Sequence, residues 1–132
     1  AVLNEHGRSG FSTTIGLIFT HASSEKVCAD LLITQDHLQP HGIVHGGVYC
    51  AIVETTASLG AALSLKSLNC MVVGMENHTS FLKATKHGSL HATAEVVADG
   101  ARTALWRCRI VNDHDVLIAT GNVRLMRIPR EE

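Results

Sequence analysis

Residues 47–65 read GVYCAIVETTASLGAALSL, a stretch that is apolar around nearly its whole circumference when it is wound as a helix. Such a helix cannot lie with one face in water, so other parts of the structure must cover most of its sides. The preceding residues, 35–47, contain Pro40 and three glycines and predict a loop. Because the helical stretch carries Glu54 and several hydroxyl side chains, we predict a buried helix and no membrane contact.

The segments on both sides of this helix have the composition of β-strands. Strands, or packed approaches to them, are predicted at residues 11–20, 27–34, 71–81, 90–98, 103–111 and 116–128. In the second of these, Val27, Ala29, Leu31 and Ile33 share one apolar face. Turn residues at 99–100 and 112–115 indicate an antiparallel meander in the C-terminal half.

These elements predict an α+β fold, with one long central helix wrapped by a curved antiparallel sheet of five to six strands. Residues 1–132 have the length of a single domain, and residues 1–10 are expected to be a flexible N-terminal segment. One sheet of this size leaves strand edges and part of the helix uncovered. We therefore expect a homodimer or a homotetramer.

The composition excludes several classes of function. A formal charge of -1, no basic run and only five aromatic residues argue against nucleic acid as a partner. The four cysteines form no C-x-x-C pair, and the first ten residues do not resemble a signal peptide. We expect reduced thiols and a cytoplasmic location.

Glu54 is the only charged residue between His45 and Lys66. A carboxylate on an otherwise apolar helix must be paired, protonated or retained for chemistry. Two readings stay open from the residues alone, namely a carboxyl satisfied by the hydroxyls of Thr55 or Ser58, and a catalytic base.

Gly46 and Gly47 lie where the helix should begin, and their bare backbone N–H groups could polarise a carbonyl or stabilise an oxyanion. They could equally form an ordinary turn. Gly46 and Glu54 are eight residues apart, which is about 12 Å along a helix, so one subunit cannot aim both at the same atom. A two-fold partner with an antiparallel helix could bring them together, which would make the site an inter-subunit feature.

Residues 39–47, QPHGIVHGG, followed by Glu54 and Ser58, resemble the signature of the hotdog-fold acyl-CoA thioesterases. The spacing is closest to the phenylacetate-degradation branch, and the resemblance extends from about Val27 to Leu125. Its members carry Asp or Glu on the helix. The Glu of this chain resembles the members that act on aromatic acyl-CoA esters.

The resemblance implies an enzyme that hydrolyses an acyl-CoA, with an aromatic or medium-chain acyl group, to free acid and coenzyme A. Glu54 would be the general base or the nucleophile, and the Gly46 N–H would polarise the thioester carbonyl. Gln39 and His45 would orient the carbonyl or water. Ser58 could hydrogen-bond the carboxylate, a water or the substrate, or be only a small packing residue.

The resemblance also implies contacts to coenzyme A. Gly47 would lie beside the substrate, and Val73 and Gly74 would line the strand that carries the pantetheine arm. Lys83 and Arg102 match cationic residues of related sequences, although both could be ordinary surface charges. Where relatives carry a polar run, this chain has Phe81-Leu82-Lys83.

No cofactor is expected, since coenzyme A is part of the substrate. His37, His41 and His45 are four residues apart, but the proline and glycines between them argue against a metal-binding helix face, and we predict no metal. The alternative function is a non-catalytic acyl-CoA-binding or regulatory domain of the same fold. That alternative predicts binding that survives loss of Glu54, without turnover.

Overall fold

The computed structural model describes residues 10–64 and 69–130. The expected flexible segment, residues 1–10, therefore lies outside the described residues except for Gly10. The helices are α1 (Phe11–Thr14) and α2 (Gly46–Leu63), with a 3₁₀ turn at Gln35–His37. The strands are β1 (Ile18–Ala22), β2 (Lys26–Leu32), β3 (Cys70–Phe81), β4 (Ser89–Asp99), β5 (Thr103–Val111) and β6 (Leu117–Pro129).

Six antiparallel strands form one sheet in the order β1-β2-β4-β5-β6-β3. The predicted fold class, one long helix and a curved antiparallel sheet, is confirmed. Strands β4, β5 and β6 form the predicted meander. Strand β3 does not join it at the β4 side but lies at the far edge beside β6, because the chain crosses the sheet with α2 before β3 begins.

The core lies between α2 and the inner face of the sheet. Eight of the 18 residues of α2 are buried, and Gly60 packs so closely on the Trp106 ring that a Cβ on Gly60 would collide with it. By length and composition α2 could cross a membrane. Within the described residues, however, α2 packs against the sheet, as the core helix of a folded domain does.

One expectation differs from the structure. Residues 11–14, expected as part of a strand or of the packed approach to one, form the short helix α1, since the Thr14 N–H and hydroxyl both donate to the Gly10 carbonyl and the strand starts only after Gly16 (φ 79°).

The sheet leaves part of helix α2 uncovered, as expected for one chain. Cys50, Glu54 and Ser58 stay half-buried.

A bridge of three side chains fastens the outer face of the sheet. His91 on β4 hydrogen-bonds Asp30 on β2 (2.8 Å) and Asp113 in the β5–β6 turn (2.7 Å). Asp113 also accepts from the Ser89 N–H at 3.0 Å. The hydrogen bonds that His91 donates to Asp113 and then to Asp30 raise the pKa of His91, and the bond to Asp113 lowers the pKa of Asp113.

The bridge predicts a pH-dependent contribution to stability. Because the pKa of His91 is raised on folding, its contribution is complete below the ordinary value of 6.5 and is lost as the pH rises through the raised value. The Asp113 contribution is present above its ordinary pKa and is lost as the pH falls through the lowered value. We expect His91→Gln to lower Tm more at about pH 5.5 than at about pH 8.5.

Thermal unfolding followed by circular dichroism measures this difference. His21→Gln, at an exposed histidine of β1, is the matched control and should change Tm by a similar small amount at both pH values. A Tm loss for His91→Gln that is independent of pH would contradict the prediction.

Candidate active site

The start of α2 is fixed by both side-chain and backbone hydrogen bonds. His45 is the N-cap, and its Nδ1 accepts from the Gly47 N–H at 2.8 Å. The His45 N–H donates to the His37 carbonyl at 2.9 Å, and the Val44 N–H donates to the Thr85 carbonyl at 2.9 Å. These bonds leave the Gly46 N–H without a partner within residues 10–64 and 69–130, so it can bind an acceptor.

The buried His37 side chain holds the loop that precedes α2. The buried ring accepts from the Thr34 N–H through Nδ1 (2.9 Å), and its Nε2–H donates to the Ile15 carbonyl (2.6 Å). Both ring nitrogens of His37 are therefore engaged, and within the described residues no group of three or more His, Cys, Asp or Glu could hold a metal ion. The imidazole links α1 to the loop that carries His45.

A cavity of about 330 Å³ lies on the Gly46 side of the helix start. Gln39, Gly46 and Lys83, three of the predicted site residues, line it together. The Gln39 Oε1 accepts from the His41 N–H at 2.7 Å, which orients its side chain. The Phe81 ring covers Gly46 so closely that a Cβ there would lie 2.5 Å from it.

Tyr49 also lines this cavity and packs on Phe81, with ring centroids 5.8 Å apart. Burial raises the pKa of the Tyr49 phenol to about 12. Its hydroxyl has no hydrogen-bond partner in the described part of the chain. The phenol therefore stays neutral, and its side chain forms part of the cavity wall beside Gly46.

A second, larger cavity of about 800 Å³ lies on the Gly47 side of the helix start. His45 and Gly47 line it, together with α1 and the loop after β2. Its wall is mainly apolar and includes Phe11, Ile15 and Leu38. Two cavities thus flank the first turn of α2, the smaller lined by Gly46 and the larger by Gly47.

Glu54 lies two turns further along α2. Its Oε1 accepts from Asn77 Nδ2 at 3.1 Å, and Oε2 lies against Gly74 so closely that a Cβ on Gly74 would collide with it. The carboxylate is therefore paired, but with an amide of β3 and not with Thr55 or Ser58. The carboxyl is thus satisfied by a different group from the one expected, and this pairing is compatible with both a structural and a catalytic carboxylate.

A bulge in β3 brings Gly74 and Asn77 to the same face. In a regular strand residues three apart point to opposite faces. The register of β3 on β6 shifts between Gly74 and Glu76, so that both Gly74 and Asn77 face α2. Without this bulge, Asn77 would point away from Glu54.

The other predicted residues are spread over the surface. Ser58 shares the half-buried face of α2 with Glu54, and Val73 precedes Gly74 on β3. Arg102 lines a third cavity of about 710 Å³ near the C-terminal end of α2, beside Arg127. Within one chain the structure thus groups Gln39, Gly46 and Lys83 at one end of α2 and places Arg102 at the other.

Asn77 and Thr79 support Glu54 and were not predicted from the sequence. The Thr79 hydroxyl donates to Asn77 Oδ1 at 2.6 Å, so that the two side chains form one hydrogen-bonded unit against Glu54. Both lie in the run that was predicted as a strand. No local pattern indicates which face either residue takes, because the bulge before them decides it.

The profile of the Thioesterase superfamily matches residues 41–119, which include the start of α2, Glu54 and Asn77. The Mycobacterium tuberculosis protein Rv1847, provisionally named an esterase, is 38% identical over 120 residues, 89% of this chain and 86% of its own. Its solved structure superposes with a TM-score of 0.88 and covers 92% of this chain and 98% of that one.

Two further proteins extend the comparison. The 1,4-dihydroxy-2-naphthoyl-CoA hydrolase of Listeria monocytogenes is 32% identical over 109 residues, 83% of this chain and 88% of its own. The PaaI protein of the E. coli phenylacetic acid degradation operon is 19% identical with a TM-score of 0.85, covering 98% of this chain and 91% of that one. The latter likeness shows the fold alone.

Proposed function

This chain belongs to the Thioesterase superfamily and is a thioester hydrolase, and from that premise we propose that it hydrolyses an acyl-CoA with an aromatic or medium-chain acyl group. The observation that carries the proposal is the pair of reactive groups on α2. The Gly46 N–H is an available donor at the helix start, and the Glu54 carboxylate is held with one oxygen facing Gly74.

The proposed reaction needs no metal or redox cofactor. The Gly46 N–H, aided by the dipole of α2, polarises the thioester carbonyl and stabilises the oxyanion that forms on it. Glu54 takes the proton of an attacking water, the C–S bond breaks, and the departing thiolate receives a proton. Alternatively, Glu54 itself attacks and forms an anhydride that water hydrolyses. Gln39 and His45 orient the carbonyl or the water.

We expect Glu54→Gln to reduce kcat about 100-fold or more, because the amide cannot accept the proton or attack the carbonyl. Folding should be retained, since the amide fits the same space. Coenzyme A release from a panel of aliphatic and aromatic acyl-CoAs, read chromatographically to avoid the four protein thiols, measures the effect.

Glu76→Gln removes an exposed carboxylate from the opposite face of β3 and serves as the matched control. Turnover that survives Glu54→Gln would remove Glu54 from the mechanism. Acyl-CoA binding without turnover by the wild-type protein would favour the non-catalytic acyl-CoA-binding domain.

The active site is proposed to form between two subunits. Gly46 and Glu54 are separated by about 12 Å along one helix, which is too far for one thioester carbonyl. Strand β3 has no partner on its outer edge among the described residues, and its Met71 and Met75 are exposed. A second copy against this edge and the half-buried face of α2 would place Glu54 of one subunit near Gly46 of the other, in a homodimer or homotetramer.

Subunit mixing tests the shared site. Glu54→Gln and Gly46→Pro are each expected to be inactive, the second because it lacks the N–H and because its Cβ would displace the Phe81 ring. Random mixing of the two, after denaturation and refolding together, should restore about a quarter of the wild-type activity, because half of the dimers are mixed and each mixed dimer has one intact site. An inactive mixture whose mixed dimers are verified by mass spectrometry would place each site within one chain.

The acyl group is proposed to enter the cavity of about 800 Å³ on the Gly47 side. Its volume and mainly apolar wall suit an aromatic or medium-chain group. The thioester would then lie at the Gly46 N–H, and the pantetheine arm would leave past Val73 and Gly74. Ser58 and Lys83 would contact the substrate, and Arg102 would be near it only across the subunit boundary.

We expect Thr14→Trp, which enlarges an exposed residue in the wall of this cavity, to lower kcat/KM for aromatic and medium-chain acyl-CoAs about tenfold, because the side chain occupies the space of the acyl group. Acetyl-CoA should be hydrolysed as by the wild type. Thr13→Trp, at the exposed neighbour that does not line the cavity, is the control. Equal losses for all acyl lengths would place the acyl group elsewhere.

A further inference from the structure

We propose that Asn77 is a positioning residue that gives the two oxygens of Glu54 different tasks. In this assignment Oε1 is held by the Asn77 amide, and Oε2 is the oxygen that acts on water or on the thioester carbonyl. The inference rests on the proposed function, because it needs Glu54 as the base or nucleophile. It adds a residue on β3 to a mechanism that otherwise uses only α2 and the loop before it.

The hydrogen bonds of Asn77 fix the orientation of its amide. Asn77 Nδ2 lies 3.1 Å from the Cys50 carbonyl oxygen and 3.1 Å from Glu54 Oε1. A backbone carbonyl can only accept, so the group that faces it must be the NH₂ group. Both N–H bonds are then committed, and the oxygen of Glu54 that meets Asn77 must be an acceptor.

Thr79 supports this orientation from the other side. Its hydroxyl donates to Asn77 Oδ1 at 2.6 Å. Turning the amide by 180° would place Oδ1 against the Cys50 carbonyl and Glu54 Oε1, two acceptors, and both of those bonds would be lost. The room for the hydroxyl exists because β6 has Gly121 opposite. A Cβ on Gly121 would lie 2.5 Å from Thr79 Oγ1.

Oε2 of Glu54 is left available by the same arrangement. It has no hydrogen-bond partner among the side chains and backbone groups of residues 10–64 and 69–130, and it lies over Gly74, where a Cβ would collide with it. The β3 bulge places both Gly74 and Asn77 under Glu54. One carboxylate oxygen is thus anchored by the amide, and the other lies against the Gly74 backbone with no hydrogen bond within these residues.

The surrounding charges do not provide this anchoring. Cys50, one turn before Glu54 on the same helix face, contributes its carbonyl to Asn77. On β3 the neighbouring titratable residues, Glu76 and His78, pair in register with Arg124 and Asn122 and point to the opposite face of the sheet. The Asn77 amide is therefore the polar group that orients Glu54 within the described residues.

Asn77→Asp tests the assignment through the pH profile. The new carboxylate has the same shape but cannot donate when ionised, and it shares a site with Glu54. One proton is then retained by the pair near neutral pH, so the acidic limb of the kcat/KM profile should move upward by about one pH unit or more. His78→Asp adds the same carboxylate one residue along, on the other face of β3, and should leave the profile in place.

Thr79→Val and Thr79→Ser form a second pair. Valine keeps the shape and removes the hydrogen bond that holds Asn77 Oδ1, so the amide is less firmly positioned. We expect kcat to fall about tenfold while KM stays within about twofold. Serine keeps the donor and should restore kcat. This pair keeps the inference testable if Asn77→Asp does not fold.

Three results separate the possible outcomes. An acidic limb that moves for Asn77→Asp but not for His78→Asp, with serine rescue at position 79, supports the inference. An unchanged profile, or a Thr79→Val variant that loses only Tm, overturns it and leaves Asn77 as a structural residue. If Glu54→Gln itself remains active, the proposed function fails first, which distinguishes that failure from the failure of this inference.

Discussion

The close packing of α2 on the sheet is the constraint on which the rest of the structure depends. Gly60 lies directly on the buried Trp106 ring, and Thr56 is fully buried and hydrogen-bonds its own helix at the Ile52 carbonyl (2.8 Å). Small groups at these positions allow the helix to lie near the strands. This closeness brings Glu54 within hydrogen-bond distance of β3, because a helix held further away could not reach Asn77.

The same packing leaves part of the apolar surface of α2 uncovered within one chain. A helix that is apolar on nearly all sides needs cover on all sides, and the sheet gives cover on one. The half-buried face of α2 and the outer edge of β3 are adjacent, so one partner could cover both. Glu54 lies half-buried where this face meets β3. The need for burial and the need for a second reactive group therefore favour the same assembly.

Much of the fold follows from local patterns in the sequence. The predicted helix, residues 47–65, agrees with Gly46–Leu63 within two residues, and the alternation of Val27, Ala29 and Leu31 gave the buried face of β2. The place of β3 beside β6 does not follow, because strand order after a crossing helix is set by packing between distant segments. Residues 11–14 were mistaken for strand because their β-rich composition does not reveal the backbone bond that closes on Gly10.

Predicting the site required more than composition. Glu54 stands out because a charge on an apolar helix needs an explanation, and Gly46 stands out because it opens that helix. Asn77 and Gly74 do not stand out, since strict alternation would place them on opposite faces and only the bulge at Met75 brings them together. An extra residue in one strand is a property of the strand pair. It could not be inferred from β3 without knowing its register on β6.

The neutral amide of Asn77 also explains how the Glu54 carboxylate can be both hydrogen-bonded and reactive. A lysine or arginine in the place of Asn77 could also hold Glu54. Its positive charge would stabilise the ionised carboxylate, however, and would make it a weaker base or nucleophile. A neutral amide orients the carboxylate through one oxygen and leaves its net charge intact. With Gly74 beneath the second oxygen, β3 orients the carboxylate through Asn77 and leaves room for Oε2 where any side chain on residue 74 would displace it.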